Sequence, residues 1–277
     1  MRLAVSIVLY ETPPRDIAAC LSSLEYFSED FLLIVVDNSP SDRLRSQFSR
    51  GRNFVYIHNP ANPGFGAAHN IAIRLARLKG VQYHLVLNPD ILFDSDVLTP
   101  LVNFLDENVD VGHVMPKILN PDGTIQWLCK LVPTPIDLIF RRVIPTSLRQ
   151  RRDQNFELRW TRYEKIMYVP YLSGCFMLIR QSALDEVGLF DERFFMYPED
   201  IDLTRRIARK FKTVFFPYVS VTHKHNAASR RSFRMFTVHV ANMIRYFNKW
   251  GWIWDTERKA LNKRTLDQFT NDFVDRS

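Results

Sequence analysis

The chain has 277 residues, 46% hydrophobic and 24% charged, which allows a substantial core without disulfide staples and excludes disordered, collagen-like and small disulfide-rich classes. Cys20, Cys129 and Cys175 are widely spaced and odd in number; they fit neither a metal motif nor a disulfide set and point to a reducing compartment. The formal net charge is +7, yet eleven Lys/Arg and no Asp or Glu fall between Leu203 and Trp254, leaving 26 Lys/Arg against 30 Asp/Glu elsewhere. Charge segregated in this way points to an anionic partner on one face: nucleic acid, phospholipid or a phosphorylated substrate.

MRLAVSIVLYETPP turns polar after Tyr10, too early for a signal peptide, and reads as a buried first strand, Leu3–Leu9. Apolar runs predict further strands at Leu32–Val36, Phe54–Ile57, His84–Leu87 and Val111–Met115. Three- and four-residue spacing predicts helices at Ile17–Phe27, Arg43–Phe48, Ala67–Leu78 and Val97–Leu105. This alternation gives an α/β fold of right-handed βαβ units and a mostly parallel sheet, with ligands beyond the carboxyl ends of the strands. Asn120–Thr124 then reads as a turn, Pro133–Pro145 as a short helix, and the charged stretch Gln150–Lys165 as a mobile loop. Ordered patterning resumes at Tyr168–Ile179, with helices near Ser182–Val187 and Glu199–Lys210 and strands around Val214–Val221. The uncharged run Ile166–Ile179 is 14 residues and contains Pro170 and Gly174. A spanning helix needs about 20 apolar residues, so none is expected.

Polar signals sit where the strands end. Asp37-Asn38 follows an apolar run; a carboxylate there can accept a base N–H or a ribose hydroxyl, though a turn or helix cap explains it as well. Asn62-Pro-Gly64-Phe-Gly66 opens a helix that continues to Asn70. Its glycines allow close backbone approach to a ligand and its free N–H groups suit an anion, while a plain glycine-rich turn is the competing explanation. It has neither the three-glycine dinucleotide spacing nor the phosphate-loop lysine. Asn88-Pro89-Asp90 offers a sparse oxygen site for a hard divalent cation, completed by substrate phosphates, or else a turn. Glu199, Asp200 and Asp202 open a predicted helix, where acids favour the dipole. Beside Phe190, Phe194, Phe195 and Tyr197, one of them can also be a carboxylate raised by desolvation into a general base. His223 and His225 follow a strand at a spacing that points both to one face, compatible with metal or phosphate ligation and with ordinary surface residues.

In their order along the chain, VVDNS at 35–39, NPGFGAAHN at 62–70, LNPD at 87–90, SGCFMLIR at 173–180, GLFDERFFMYPEDIDL at 188–203 and His223 resemble the family 2 inverting glycosyltransferases. The likeness is strongest to the bacterial rhamnosyltransferase branch of O-antigen and cell-surface polysaccharide synthesis, and it spans about residues 2–250. It implies a GT-A fold. It further implies that Asp37, with Asn38, contacts the nucleotide base or ribose, and that Asn62, Gly64, Gly66 and Asn70 line the nucleotide-sugar pocket. Asn88 and Asp90 match the metal-binding DxD with its first Asp replaced by Asn; Glu199-Asp200 matches the ED pair, with Asp200 the catalytic base and Glu199 on the donor side. His223 matches a position near the diphosphate or metal, Mg2+ or Mn2+. The expected domain is 1–230, with a nucleotide-sugar half at 1–115 and an acceptor half at 116–230, followed by a basic, aromatic helical segment at 231–277.

In that segment Phe233, Phe236, Val240, Met243, Ile244, Phe247 and Trp250 recur at helical spacing beside Arg230, Arg231, Arg234, Arg245 and Lys249, and Trp252 and Trp254 follow. Such a helix can lie in a membrane interface or pack its stripe on the core. The expected function is transfer of L-rhamnose from dTDP-L-rhamnose to a polyprenyl-diphosphate-linked saccharide on the cytoplasmic membrane face, with a UDP- or GDP-sugar donor, or a non-catalytic binding protein, as alternatives. Nucleic acid is not an expected partner, because the aromatics form a helix stripe and no nucleic-acid motif appears.

Overall fold

The computed structural model describes residues 1–48, 53–139, 146–224 and 233–270, with the side chains of 146–149 and 233–236 left aside. Strands β1 (Leu3–Leu9), β2 (Phe31–Asp37), β3 (Phe54–His58) and β4 (Tyr83–Leu87) run parallel in the order β3-β2-β1-β4. Alternate residues of β1 serve opposite faces, as the two-residue strand period requires. Leu3, Val5, Ile7 and Leu9 pack with helices α1 (Pro14–Leu24) and α3 (Leu98–Glu107). On the other face Ala4 and the β2 residues Leu32, Ile34 and Val36 meet Ala68, Ala72 and Ala76 of α2 (Phe65–Leu78). Helices cover both faces, which is why these strands are almost continuously apolar.

Beyond β4 the sheet turns mixed. β10 (Phe176–Arg180) lies between β4 and β6 (Val111–Leu119), antiparallel to both, and β11 (Lys212–His223) then runs parallel to β6. Short β5 (Ile91–Leu92) and β8 (Met167–Tyr168) pair antiparallel with β11, and β7 (Cys129–Lys130) pairs with β9 (Tyr171–Leu172) in a separate two-stranded sheet. Because β10 runs against β4, its amino end lies beside the carboxyl end of β4, with Phe176 opposite Leu87. Segment 173–175 is thereby delivered to the edge where ligands are expected.

The charged segment read as a mobile loop is ordered. Helix α4 (Pro135–Leu138) precedes it, and α5 (Thr146–Phe156) and a 3-10 turn at Arg159–Thr161 occupy it. α5 has no apolar stripe, so periodicity missed it; it is fastened at its end by buried Phe156 and Leu158 and by Tyr163, whose hydroxyl bonds both backbone groups of Cys129. The helix read across Pro133–Pro145 shortens to α4, and positions 140–145 lie outside the described residues.

Helices α6 (Gln181–Val187) and α7 (Glu199–Ala208) follow β10, and α8 (Phe233–Trp250) and α9 (Thr256–Asp267) follow β11. Met243, Tyr246 and Phe247 of α8 are buried, the last two with Phe194 and Ile201, while Ile244 is exposed. This part of the stripe therefore packs on the core; the side chains of Phe233, Arg234 and Phe236, together with Arg230 and Arg231, lie outside the described ones. At least six of the eleven clustered cations are already paired with acids: Arg205 with Asp255, Arg206 with Asp202, Arg209 with Glu257, Lys210 with Glu186, Lys212 with Asp110 and Lys249 with Asp191. Segregation along the sequence is thus much reduced in space. No helix among the described residues is long and apolar enough to cross a membrane.

Candidate active site

Asn88-Pro89-Asp90 leaves β4 as a tight turn: the Asn88 N–H donates to the Cys175 carbonyl at 2.9 Å and the Ile91 N–H to the Asn88 carbonyl at 3.2 Å. The turn feeds β5, whose Ile91 lies opposite His223 of β11. That register brings Asp90 Oδ1 to 3.3 Å from His223 Nε2. Gln126 Nε2 donates to the His223 carbonyl at 2.9 Å, which orients its amide, and Gln126 Oε1 is 2.9 Å from His223 Nδ1. An amide oxygen only accepts, so Nδ1 carries a proton toward Gln126 and Nε2 is the ring nitrogen that faces the Asp90 carboxylate. A carboxylate oxygen and an imidazole held through its other nitrogen suit a divalent cation. Among the described residues no cluster of three His, Cys, Asp or Glu offers a complete protein cage. A cation here would take its other ligands from water and phosphate oxygens, as Mg2+ commonly does.

The second carboxylate comes from the start of α7. Asp200 Oδ2 accepts from the Gly174 N–H at 3.0 Å and Oδ1 from its neighbour Ile201 N–H at 2.8 Å. Burial pushes its pKa up, and the two N–H bonds and Lys130 pull it back. Glu199 is 5% exposed with Oε2 unpartnered. Burial and the adjacent Asp200 drive its pKa well up; of this buried pair, Glu199 holds the proton and Asp200 carries the charge. Asp202, the third acid, is structural. It is fully buried, paired with Arg206 and Lys249, and accepts from Trp250 Nε1 at 2.8 Å.

Segment 173–175 therefore touches both carboxyl-bearing elements: its Gly174 N–H holds Asp200 and its Cys175 carbonyl holds the turn before Asp90. Between them the buried Cys175 thiol is pushed up to about 12, by burial first and then by both Asp90 and Asp200. A Cβ on Gly174 would stand 3.0 Å from Asp200 Cβ and 3.5 Å from Oδ2. Gly174→Ala is accordingly expected to displace the Asp200 carboxylate and lower turnover by about 10²-fold, the cost of misplacing a reacting group by roughly 1 Å. Steady-state kinetics beside a thermal melt checks this; wild-type turnover would mean that Asp200 has room to spare.

Lys130 and Tyr171 belong to this edge too and were not foreseen. The β7–β9 pairing sets them opposite each other, with Lys130 Nζ 5.5 Å from the centre of the Tyr171 ring. Only a pairing across some forty residues brings them to Asp200, and no local pattern signals it.

The nucleotide-side candidates form a floor of turns. Asp37 is fully buried at the end of β2, accepting from Tyr56 Oη at 2.5 Å and from the Ser39 N–H at 2.9 Å. This is a side-chain turn, not a helix cap. Asn38 Oδ1 accepts from Asn59 Nδ2 at 3.2 Å. β2 stands two strands from β4, about 10 Å at ordinary strand spacing. Asn62, with φ +42°, donates its N–H to the Asn59 carbonyl. At Gly64 and Gly66 the space left by the missing side chains faces protein: a Cβ on Gly64 would stand 2.1 Å from the Phe195 carbonyl oxygen, and one on Gly66 2.8 Å from Phe190 Cβ. The Phe65 N–H at the helix start donates to Phe195 O at 3.0 Å. Asn70 is likewise committed, bonding both backbone groups of Phe190 and donating to Glu192. These positions brace the 190–195 segment that leads into Glu199-Asp200. His225 lies outside the described residues.

Known proteins are similar to this chain in sequence, and solved structures are similar to it in fold. Over 247 residues, 82% of this chain and 77% of the relative, the sequence is 29% identical to the N-acetylglucosaminyl-diphospho-decaprenol L-rhamnosyltransferase of Mycobacterium tuberculosis. Over 262 residues, 91% of this chain and 92% of the relative, it is 25% identical to the rhamnosyltransferase WbbL of Escherichia coli. The structure matches the mannosyltransferase of Pyrobaculum calidifontis, solved with GDP-Man and Mn2+, with a TM-score of 0.58 and 18% identity, over 88% of this chain and 64% of that one. That likeness speaks to the fold alone, and the fold is GT-A. The family described as Glycosyl transferase family 2 matches residues 5–188. Because that match takes in the parallel half of the sheet, the Asn88–Asp90 turn and the segment on which Asp200 rests, the chain belongs to glycosyltransferase family 2.

Proposed function

We propose that the protein is an inverting rhamnosyltransferase that moves L-rhamnose from dTDP-L-rhamnose to a hydroxyl of a polyprenyl-diphosphate-linked saccharide, at the inner face of the cell membrane. The observation that carries the mechanism is that the two carboxylate-bearing elements, the Asn88–Asp90 turn with Asp90 beside His223 and the start of α7 with Asp200 on Gly174, both rest on one three-residue segment. The sugar and the lipid-linked acceptor are drawn from the activity named for the mycobacterial relative.

In this reading the nucleoside lies over the Asp37–Asn38 turn and the diphosphate reaches the Asn88–Asp90 turn. Asp90 and His223 would hold Mg2+ or Mn2+, which when bound neutralises charge developing on the departing diphosphate. Asp200 takes the proton of the acceptor hydroxyl as that oxygen bonds to the sugar's C1 and the bond from C1 to the phosphate oxygen breaks on the opposite face. One displacement with one base inverts the anomeric centre, and no covalent enzyme nucleophile is needed. Protonated Glu199 stays uncharged beside Asp200 and can donate a hydrogen bond to the donor.

A thermal-shift screen of nucleotide sugars with Mg2+ or Mn2+ tests the donor. A ligand at 100 times its Kd stabilises by about 2.7 kcal/mol, so dTDP-L-rhamnose should raise the midpoint by a few degrees. A UDP- or GDP-sugar that does so in its place reassigns the donor. Asp90→Ala should abolish the cation-dependent part of this shift; an unchanged shift would place the cation elsewhere.

A further inference from the structure

Between α8 and α9 the chain exposes three consecutive large apolar side chains: Trp252 at 38%, Ile253 at 72% and Trp254 at 84% of their surface. They are firmly held. Gly251 turns with φ +100°, and Trp252 Nε1 donates to Asn248 Oδ1 at 2.8 Å while its ring lies 5.3 Å from that of Phe247. Arg258, itself buried, donates to the Ile253 carbonyl at 3.2 Å and the Trp252 carbonyl at 3.5 Å. Asp255, beneath the tip, caps α9 by accepting from the Arg258 N–H and pairs with buried Arg205. Two buried arginines and a buried aspartate thus hold a tip whose side chains face solvent.

Composition and size indicate what covers it. Lys249 is spent on Asp191 and Asp202, but Lys259 Nζ stands 5.7 Å from the centre of the Trp254 ring, and the acid next to the tip, Asp255, is buried and paired with Arg205. Tryptophan with flanking lysine suits the headgroup level of a bilayer, where an amphipathic ring meets both water and acyl chain. The three side chains expose roughly 400 Å², about half of the ~800 Å² per partner that a stable protein interface buries. The patch is too small for a dimer and sufficient for a shallow anchor. α8 joins it to the site: Asn242 donates to the Met196 carbonyl, three residues before Glu199, and Gly251 lies about 13 Å further along the helix axis.

We propose that Trp252-Ile253-Trp254 inserts into the interface of an anionic lipid membrane and orients the start of α7 toward an acceptor carried in that membrane. The purpose of the anchor rests on the lipid-linked acceptor proposed above; lipid binding itself does not.

The test uses the full chain and vesicles of phosphatidylcholine with phosphatidylglycerol. Wild type should co-sediment, and lipids brominated on the acyl chain should quench its tryptophan fluorescence. Ile253→Ser with Trp254→Ser should reduce vesicle partitioning at least about tenfold and leave the thermal midpoint unchanged. Transfer to a water-soluble acceptor saccharide should persist, while transfer to a polyprenyl-linked acceptor in vesicles falls. Wild type failing to bind, the double variant binding equally, or a lipid-free dimer that the double variant dissolves in light scattering would each overturn the proposal. Tip-dependent vesicle binding without sugar transfer to any acceptor would support the anchor and reject the transferase reading.

Discussion

Asp200→Asn is expected to lower the transfer rate by about 10²–10⁴-fold, the contribution of a positioned general base, with donor affinity nearly unchanged. The substitution keeps the shape and removes the proton acceptor. It also replaces one of two carboxylate oxygens with a donor, so the Gly174 or the Ile201 N–H loses its partner at a cost of about 1–3 kcal/mol. A thermal melt separates that loss from lost chemistry. Glu199→Gln should be far milder, because burial already keeps Glu199 neutral. The pH profile carries the same signature: Asp200 titrates above the ordinary 3.8, so activity falls on acidification before an exposed carboxylate would protonate. Calorimetry of donor binding and initial rates on both variants check this; wild-type turnover in Asp200→Asn would remove it from the base role.

The second large effect concerns stability in acid. His69, His84 and His113 are fully buried in the sheet and on α2, with the Ser6 hydroxyl 2.8 Å from both His69 Nδ1 and His84 Nε2. Burial lowers His84 and His113 to about 3 and His69 well below its usual 6.5. All three are neutral in the fold, whereas the unfolded chain binds protons from about pH 6.5 downward. Stability is therefore complete above that pH and is lost as pH falls toward the folded values, by up to about 1.4 kcal/mol per pH unit for each histidine. Three together approach 4 kcal/mol by about pH 5.5, a large part of an ordinary total of about 5–15 kcal/mol. Glu199, whose raised folded pKa has the opposite sign, offsets one such proton. Urea melts at neutral pH and near 5.5 should show the midpoint falling steeply, and His113→Leu should flatten the slope by one proton. Equal midpoints at both pH values would contradict this account of the buried histidines.

The α/β layout was legible wherever a local period decides structure. β1 begins and ends where the apolar run does, and α7 starts at Glu199 as expected. What the sequence could not convey depends on long-range pairing. Nothing in Phe176–Arg180 states that this strand is inserted, reversed, between β4 and β6, and without that insertion Gly174 would not reach Asp200. α5 carries no apolar stripe, so its order comes from a few buried anchors at its end. In the sequence Gly64 and Gly66 suggest close approach to a ligand, but in the fold their close approach is to Phe195 and Phe190, and the side chain of Asn70 is spent on Phe190 and Glu192. The dense charge after Leu203 gave no hint that Arg205 would be 1% exposed beneath the ring of Trp250.

A crystal structure of the protein with dTDP and Mn2+ tests the central claim most directly, since anomalous scattering locates manganese independently of the rest of the map. The account predicts one peak bonded to Asp90 and to the diphosphate, beside His223, with the terminal phosphate facing Asp200 across a gap that admits a sugar. A manganese peak away from Asp90, or a diphosphate bound where Asp200 cannot face it, would contradict the mechanism.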